Sequence, residues 1–339
     1  MKIKIIIPVL LLLALTSCFK KDDPIVLPAG GTEINSCSMG QNYENQMYFD
    51  LGTNTFQQRY LSDWDLCFQS DPSGKGIYIN SGKNIVVRKI EIYNLNEKQG
   101  KDTDNYIKNF PELVDASNGR VGESAIGYWE SYQLPDGRGG TIYGIYILEL
   151  RYLSGEDRYR RLQILGSNDS EYAVIINTLT SVNTNVTIIP KQKNQNYTYY
   201  TFKNGGGIVQ NAEPDKETWD IEFTQYKTII TKNTPVPILY QVKGVFSNPN
   251  KVSVAIDSTK KFEEIDASFI PFLKFSTDRD AIGYEWKSYD IQKGLYTVNQ
   301  KITYIIKDTE GHVYKLRFLD FYDKMKVSGN PKFEFTRIK

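Results

Sequence analysis

The chain repeats itself, and this feature constrains its fold more strongly than any other. Four segments of the first half recur in the same order in the second half, at shifts of 154 to 157 residues: 62–68 as 217–223, 125–128 as 281–284, 129–132 as 286–289, and 161–165 as 315–319. Self-similarity at a fixed spacing marks a structural unit that is used more than once. The sequence therefore predicts a tandem duplication of a domain of about 150 residues.

Each repeat has the residue pattern of β-strands. The chain contains 24 tyrosines, and Tyr, Ile, Val, Thr and Phe recur in alternating runs that are typical of strands with one buried face. In the second repeat, residues 301–307 and 313–321 alternate on either side of a turn, where Gly311 supplies the positive φ that such a turn often needs. The predicted fold class is all-β, with two tandem, mostly antiparallel β domains over residues 41–190 and 191–339.

The first residues have the pattern of an export signal. Two lysines precede an apolar run over residues 5–15, which is far shorter than the roughly 20 residues that span a bilayer. Residues 15–18, Leu-Thr-Ser-Cys, resemble the lipobox that bacterial lipoprotein signal peptidase reads. The resemblance implies a signal peptide over residues 1–17, cleavage before Cys18, and a lipid anchor on the Cys18 thiol.

Residues 18–40 are predicted to be a lipidated tether, because prolines and glycines keep this stretch extended. A cluster of lysines and aspartates at residues 20–23 has two interpretations. It resembles a surface-export signal, and it is also what a solvated spacer looks like. The lipid anchor predicts an outer-membrane location, and the export-signal interpretation predicts that the protein faces outward.

Two cysteines follow Cys18, and they allow one intramolecular disulfide, Cys37–Cys67. The oxidising exterior of a cell permits such a bond. Cys67 lies in the apolar segment 64–68, so a buried free thiol is the alternative. The sequence leaves both possibilities open.

Charge and motif content exclude several classes of function. The formal net charge is +1 and the charges are interspersed, which argues against a nucleic-acid partner. The chain has a single histidine, no nucleophile elbow, and no zinc-type spacing of cysteine and histidine. The sequence therefore predicts a protein that is not an enzyme and that has no catalytic or zinc site.

Three motifs of the second repeat carry a family likeness: TWDIEF at 218–223, IGYEW at 282–286 and YKLRF at 314–318. With them, residues 197–338 resemble the HmuY-like family of haem-binding lipoproteins from Bacteroidota. The first repeat matches less closely but has its own Trp-Asp and Gly-Tyr-Trp segments, so two tandem copies are predicted. The resemblance implies a protruding pair of finger-like strands that grip haem, and haem acquisition beside an outer-membrane receptor.

In this family two side chains, histidine or methionine, hold the haem iron, and here the sequence departs from the pattern. His312 and Met325 are the candidate haem ligands, yet His312 follows a turn glycine and Met325 is flanked by charges, which favours exposed loop residues. Met47 lies in a predicted strand, where core packing is the simpler interpretation. Tyrosine also ligates haem iron, but the residue pattern does not single one out. The alternative function is a non-haem interaction or structural module of the outer membrane with a protein or glycan partner.

Overall fold

The computed structural model describes residues 31–90, 107–135, 140–179, 181, 183–230, 236 and 238–339. The predicted signal peptide and the lipid anchor on Cys18 lie outside the described residues. Within the described ranges, no helix is long and apolar enough to cross a membrane.

The described residues form 22 strands, and the predicted all-β class is confirmed. The strands are β1 Glu33–Ser36, β2 Asn45–Asp50, β3 Thr55–Tyr60, β4 Leu66–Gln69, β5 Ile77–Ile79, β6 Ile85–Ile90, β7 Gln133–Pro135, β8 Thr141–Tyr143, β9 Ile145–Leu150, β10 Tyr159–Ser167, β11 Glu171–Asn177, β12 Thr187–Pro190, β13 Tyr197–Thr201, β14 Gly207–Val209, β15 Ile221–Ile230, β16 Ile238–Ser247, β17 Ser253–Asp257, β18 Lys287–Asp290, β19 Leu295–Val298, β20 Thr303–Lys307, β21 Val313–Tyr322 and β22 Ser328–Arg337. Short 3₁₀ turns lie at Leu61–Asp63, Ser81–Lys83, Val121–Glu123, Trp129–Ser131, Gly155–Arg158, Lys203–Gly205, Phe262–Glu264 and Ala267–Phe272.

The strands form antiparallel sheets that come in matching pairs. Two sheets have five strands, in the orders β1-β22-β21-β20-β17 and β12-β11-β10-β9-β6. Two have four strands, in the orders β16-β15-β2-β3 and β14-β13-β4-β5. The hairpins β18–β19 and β7–β8 complete the set. Each sheet thus has a counterpart of the same strand number and order.

The opening strands of each predicted copy complete the sheets of the other copy. β2 pairs with β15, whereas its counterpart β13 pairs with β4. β1, which lies within the predicted tether 18–40, is instead a sheet strand that pairs with β22, and its counterpart β12 pairs with β11. We call β4–β14 the first body, and β1–β3 together with β15–β22 the second body. These limits do not coincide with the predicted domains 41–190 and 191–339, because sequence similarity identifies equivalent strands but not the strands with which they pair.

Each body has its own hydrophobic core, built around one of the repeated tryptophans. In the second body, Trp286 stacks on Phe318 with ring centroids 4.0 Å apart, and Phe49 of the exchanged strand β2 joins the same cluster. In the first body, Trp129 and Phe68 are buried in the equivalent core. The Gly-Tyr-Trp segments therefore have a structural role in both bodies.

The repeated Trp-Asp segments hold the exchanged strands in place. Asp65 accepts a hydrogen bond from the backbone N–H of Phe202 at 2.6 Å, and Asp220 accepts one from the backbone N–H of Leu51 at 2.8 Å. Each donor residue directly follows an exchanged strand, β2 or β13. Each carboxyl group therefore binds a segment from the other copy. Burial raises the pKa of Asp220 to about 7.

The two remaining cysteines are buried free thiols. Cys37 lies in the core of the second body, and Cys67 packs beside Trp64 in a separate cluster of the first body. Of the two possibilities left open by the sequence, the structure has the buried free thiol and not the Cys37–Cys67 disulfide, because strand exchange places the two residues in different bodies. Burial raises the pKa of both thiols, which keeps them protonated and unreactive.

Candidate functional site

A two-stranded ribbon projects from the second body. β15 and β16 pair along their full length of ten residues each, whereas β2 pairs with β15 only over Ile221–Phe223. Beyond Phe223, β15 therefore has β16 as its one strand partner among the described residues. A protruding strand pair of this kind is what the family resemblance implies.

The ribbon belongs to the second body but rests on the first. The backbone N–H of Lys227 donates to Ser81 Oγ at 3.1 Å, and Gln241 Nε2 donates to the carbonyl oxygen of Gly82 at 2.9 Å. The ammonium of Lys227 also donates to the side-chain oxygen of Asn84. These contacts fix the position of the ribbon relative to both bodies.

A cleft of about 620 Å³ opens between the ribbon and the hairpin β18–β19, and we call it the ribbon cleft. Its walls are mostly aromatic and aliphatic, and its charged residues are two lysines and the exposed Glu285. The lining residues include Tyr240, Val242, Lys243, Lys287, Tyr289 and Ile291. Small-molecule sites in proteins typically enclose about 300–1,000 Å³ and are lined mainly by apolar side chains. The ribbon cleft meets both criteria.

Phenol groups face the ribbon cleft from its two walls. Tyr240 on β16 is 49% exposed and Tyr289 on β18 is 47% exposed. Tyr296 also lines the cleft, with its ring centroid 4.8 Å from that of Tyr289, but burial raises its pKa to about 12. Tyr284 and Tyr296 are partly buried, so Tyr240 and Tyr289 are the most exposed phenols of the lining, one on each wall.

Two neighbouring lysines supply the positive charge of the ribbon cleft. The amine of Lys287 lies 3.9 Å from the ring centroid of Trp286 and donates a hydrogen bond to the carbonyl oxygen of Lys243. Burial, and then the nearby charge of Lys243, hold the pKa of Lys287 well below its usual range. Burial also lowers the pKa of Lys243. Among the described residues neither amine has an ion-pair partner, so an anionic ligand group would stabilise both.

The two residues predicted as haem ligands lie elsewhere. His312 is in the turn before β21, and Met325, which is 82% exposed, is in the turn after it. Ten residues of strand separate these turns, a length of about 33 Å at about 3.3 Å per residue. They therefore cannot bind the same iron, and neither lines the ribbon cleft. Met47 packs against the core of the second body, as predicted.

His312 has acidic neighbours within its own turn. Its Nδ1 atom lies 3.2 Å from Asp308 Oδ2 and 3.3 Å from Glu310 Oε2. One ligand atom from each of these three residues fits within 4.8 Å of the others, which is close enough for a divalent ion to bridge them. The sequence analysis did not predict this grouping.

The equivalent region of the first body is smaller. Its strands β4 and β5 have only four and three residues, and a cavity of about 320 Å³ there is lined by residues that include Tyr128 and Trp129. Lys75 and Glu130, which also line this cavity, form an ion pair with 2.8 Å between Nζ and Oε1. No long ribbon is present among the described residues of the first body.

The comparison with protein families matches the part of the chain that contains the ribbon cleft. Residues 193–335 match the family described as HmuY protein. This part of the chain is therefore similar to the HmuY family. The HmuY match covers the ribbon, the hairpin β18–β19 and all the cleft residues named above, whereas most of the first body lies outside it.

Three solved structures match most of the length of this chain. Apo PinO from Porphyromonas gingivitis is 11% identical, with a TM-score of 0.30, and the match covers 91% of this chain and 98% of that chain. The apo HmuY analogue of Tannerella forsythia is 9% identical, with a TM-score of 0.24, over 92% and 99% of the two chains. An HmuY-like protein of Bacteroides vulgatus, described as haem-binding, is 8% identical, with a TM-score of 0.24, over 90% of both chains. All three TM-scores are low, so the fold of this chain rests on its own strand pairings. No curated protein matches the chain.

Sequence reasoning did not single out the cleft residues Tyr240, Lys243, Lys287 and Tyr289. One signal was available in the segment 238–242, Ile-Leu-Tyr-Gln-Val, which has three consecutive large apolar residues. A sheet with one buried face needs apolar residues only at alternate positions. Both faces of this strand are therefore apolar, which is typical of a strand that contacts something besides its own core.

Proposed function

We propose that the ribbon cleft binds haem and that the protein acquires haem at the outer membrane. The observation that carries this proposal is the position of the cleft: it is the apolar, lysine-bearing cavity between two projecting strand pairs, inside the segment that matches the HmuY family. Haem is an apolar macrocycle with acidic side groups, so its binding site needs apolar walls and basic side chains.

The macrocycle is proposed to lie between the ribbon and the hairpin β18–β19. Val242 and Ile291 would contact its apolar face from the two sides. Since no histidine or methionine lines the cleft among the described residues, the proposed iron ligands are the phenols of Tyr240 and Tyr289. Tyrosine is an established axial ligand of haem iron.

Lys243 and Lys287 are proposed to bind the two propionate groups. Their amines are partly or fully buried, and burial disfavours their charged forms. A carboxylate placed beside each amine would restore the charged form and would gain a charge-assisted hydrogen bond. A neutral apolar ligand would not form these hydrogen bonds with the two lysines. The cleft should therefore prefer acidic ligands.

The location is proposed on separate grounds. The Leu-Thr-Ser-Cys pattern at residues 15–18 supports a lipid on Cys18, and a tether would then hold the two bodies at the outer membrane. An outer-membrane receptor that takes up the haem is part of the same proposal.

A haem titration of the purified mature protein, followed at the Soret band, tests the proposed function. We expect one equivalent to bind, because among the described residues only the second body has a ribbon cleft. Tyr240→Phe and Tyr289→Phe should each shift the Soret band and weaken binding by about tenfold or more. Tyr128→Phe, at an exposed tyrosine of the first body, is the matched control and should leave the titration unchanged. A Soret band equal to that of haem with an unrelated protein would rule out the proposal.

A further inference from the structure

A second cavity lies in the first body, at the end opposite its counterpart of the ribbon cleft. It is a groove of about 540 Å³ between the turn that joins β9 and β10, the described residues Asn177, Thr178 and Ser181, and the turn after β13. We call it the turn groove. The residues used below are Tyr152, Arg160, Thr178, Ser181, Lys203 and Asn204.

At the equivalent position the second body has a shorter connection. There a five-residue turn joins β20 and β21, and the backbone N–H of Thr309 donates to buried Asp220 at 2.9 Å. In the first body the connection from β9 to β10 is eight residues long, and the side chain of Tyr152 reaches the equivalent aspartate, donating to Asp65 at 2.5 Å. A side chain thus replaces the turn backbone, and the longer turn forms the wall of an open groove.

The turn groove is lined by uncharged polar side chains and by three aromatic rings, of which that of Tyr152 is exposed while those of Tyr200 and Phe202 are buried. Tyr152 is 38% exposed, and its hydroxyl group is held by Asp65, so its ring has a fixed position. Thr178, Ser181 and Asn204 add hydroxyl and amide groups. At Gly205, which has φ +90°, a Cβ atom would have no heavy atom within 4 Å, so a ligand can approach the backbone of this turn.

Two cations lie in the same groove. Arg160 is oriented by an ion pair with Asp157, at 3.0 Å between Nη2 and Oδ1, and its guanidinium lies 5.8 Å from the ring centroid of Phe202. Lys203 is exposed and has no ion-pair partner among the described residues. With Asp157 neutralising one cation, the groove has an excess positive charge at Lys203.

We infer that the turn groove is a second binding site, which takes the end of a saccharide that bears a carboxylate. A fixed aromatic ring packs against the apolar face of a sugar, while hydroxyl and amide groups exchange hydrogen bonds with its hydroxyls. Lys203 and Arg160 bind the carboxylate by charge-assisted hydrogen bonds. The volume of the groove is within the range of small-molecule sites.

Saturation-transfer NMR and calorimetry on the mature protein, with sialyllactose and trigalacturonate as probes and lactose as the neutral comparison, test this site. We expect at least one acidic probe to bind, and to bind at least tenfold more tightly than lactose. Lys203→Glu should weaken that binding by tenfold or more, and Ser181→Trp, which fills the groove without changing its charge, should abolish it. Lys193→Glu, at an exposed lysine outside the groove, is the matched control and should have no effect.

Three results would overturn the inference. The first is failure of both acidic probes to bind at millimolar concentration to a protein whose circular dichroism shows it to be folded. The second is binding of lactose as tight as that of the acidic probes. The third is binding that survives both Lys203→Glu and Ser181→Trp. Haem titration of the same variants should be unchanged, because the ribbon cleft is in the other body.

Discussion

The two bodies have equivalent sheets, equivalent core tryptophans and equivalent buried aspartates. They differ in the lengths of some strands and turns. β15 and β16 are ten residues long, whereas their counterparts β4 and β5 have four and three. The extra length forms the ribbon and one wall of the ribbon cleft. At the other end of the fold the first body has the longer connection, because eight residues join β9 and β10 whereas five join β20 and β21. The longer connection forms one wall of the turn groove. One architecture thus supports two different cavities, because strand ends change without disturbing the core.

The largest expected effect concerns the shared part of the two bodies. Trp286→Ala and Trp129→Ala should each lower the free energy of unfolding by about 3–5 kcal/mol, because each removes a fully buried aromatic side chain from an equivalent core. Urea denaturation followed by circular dichroism measures both. A cost below about 1 kcal/mol for one variant alone would show that the two cores are not equivalent.

A second prediction compares how buried carboxyl groups respond to pH. Burial raises the pKa of Glu213, between the bodies, to about 8. In the first body, burial also raises the pKa of Glu149, but hydrogen bonds from Arg88, Arg158 and Arg151 lower it to about 2. Because the folded state holds the Glu213 proton more tightly, the free energy of unfolding should fall as pH rises from about 4.5 to 8. Glu149 acts in the opposite direction and only below about pH 4.5.

Glu213→Gln tests the first half of this contrast, because glutamine has the shape of the protonated acid. In this variant the free energy of unfolding should fall less steeply with pH between about 5 and 8. The difference in slope should be up to about 1.4 kcal/mol per pH unit, the value for one proton. Urea denaturation at several pH values measures the slope. An unchanged slope would mean that Glu213 is ionised in the folded protein.

The smallest expected effect concerns the first body alone. Lys75→Ala removes the exposed Lys75–Glu130 ion pair and should change the free energy of unfolding by at most about 1 kcal/mol, since water screens both groups. The haem titration should still saturate at one equivalent. Saturation at two would show that this ion pair, and not the missing ribbon, keeps the first body from binding.

Patterns within a strand could be predicted from the sequence, and relations between strands could not. The alternation around Gly311 predicted β20 and β21, and their hairpin is confirmed. The family resemblance is confirmed over residues 193–335. The partner of β2 was not predictable, because β2 pairs with β15 about 170 residues away and its own residues give no register. The ribbon cleft was missed for the same reason, since Tyr240 and Tyr289 come together only through the fold.

Strand exchange also has a consequence for the order in which the chain can fold. The first body is one uninterrupted stretch, from β4 to β14, so all its strands are available once residue 209 has emerged. β1 and β2 precede it but pair with β22 and β15, which are made after it. β2 can pair with β3 at once, but β1 and the other edge of β2 lack their partners while the whole first body is synthesised. During synthesis or export from the N-terminus, the first body can therefore fold first. The second body, with its ribbon, can complete its sheets only after the final strand has been made.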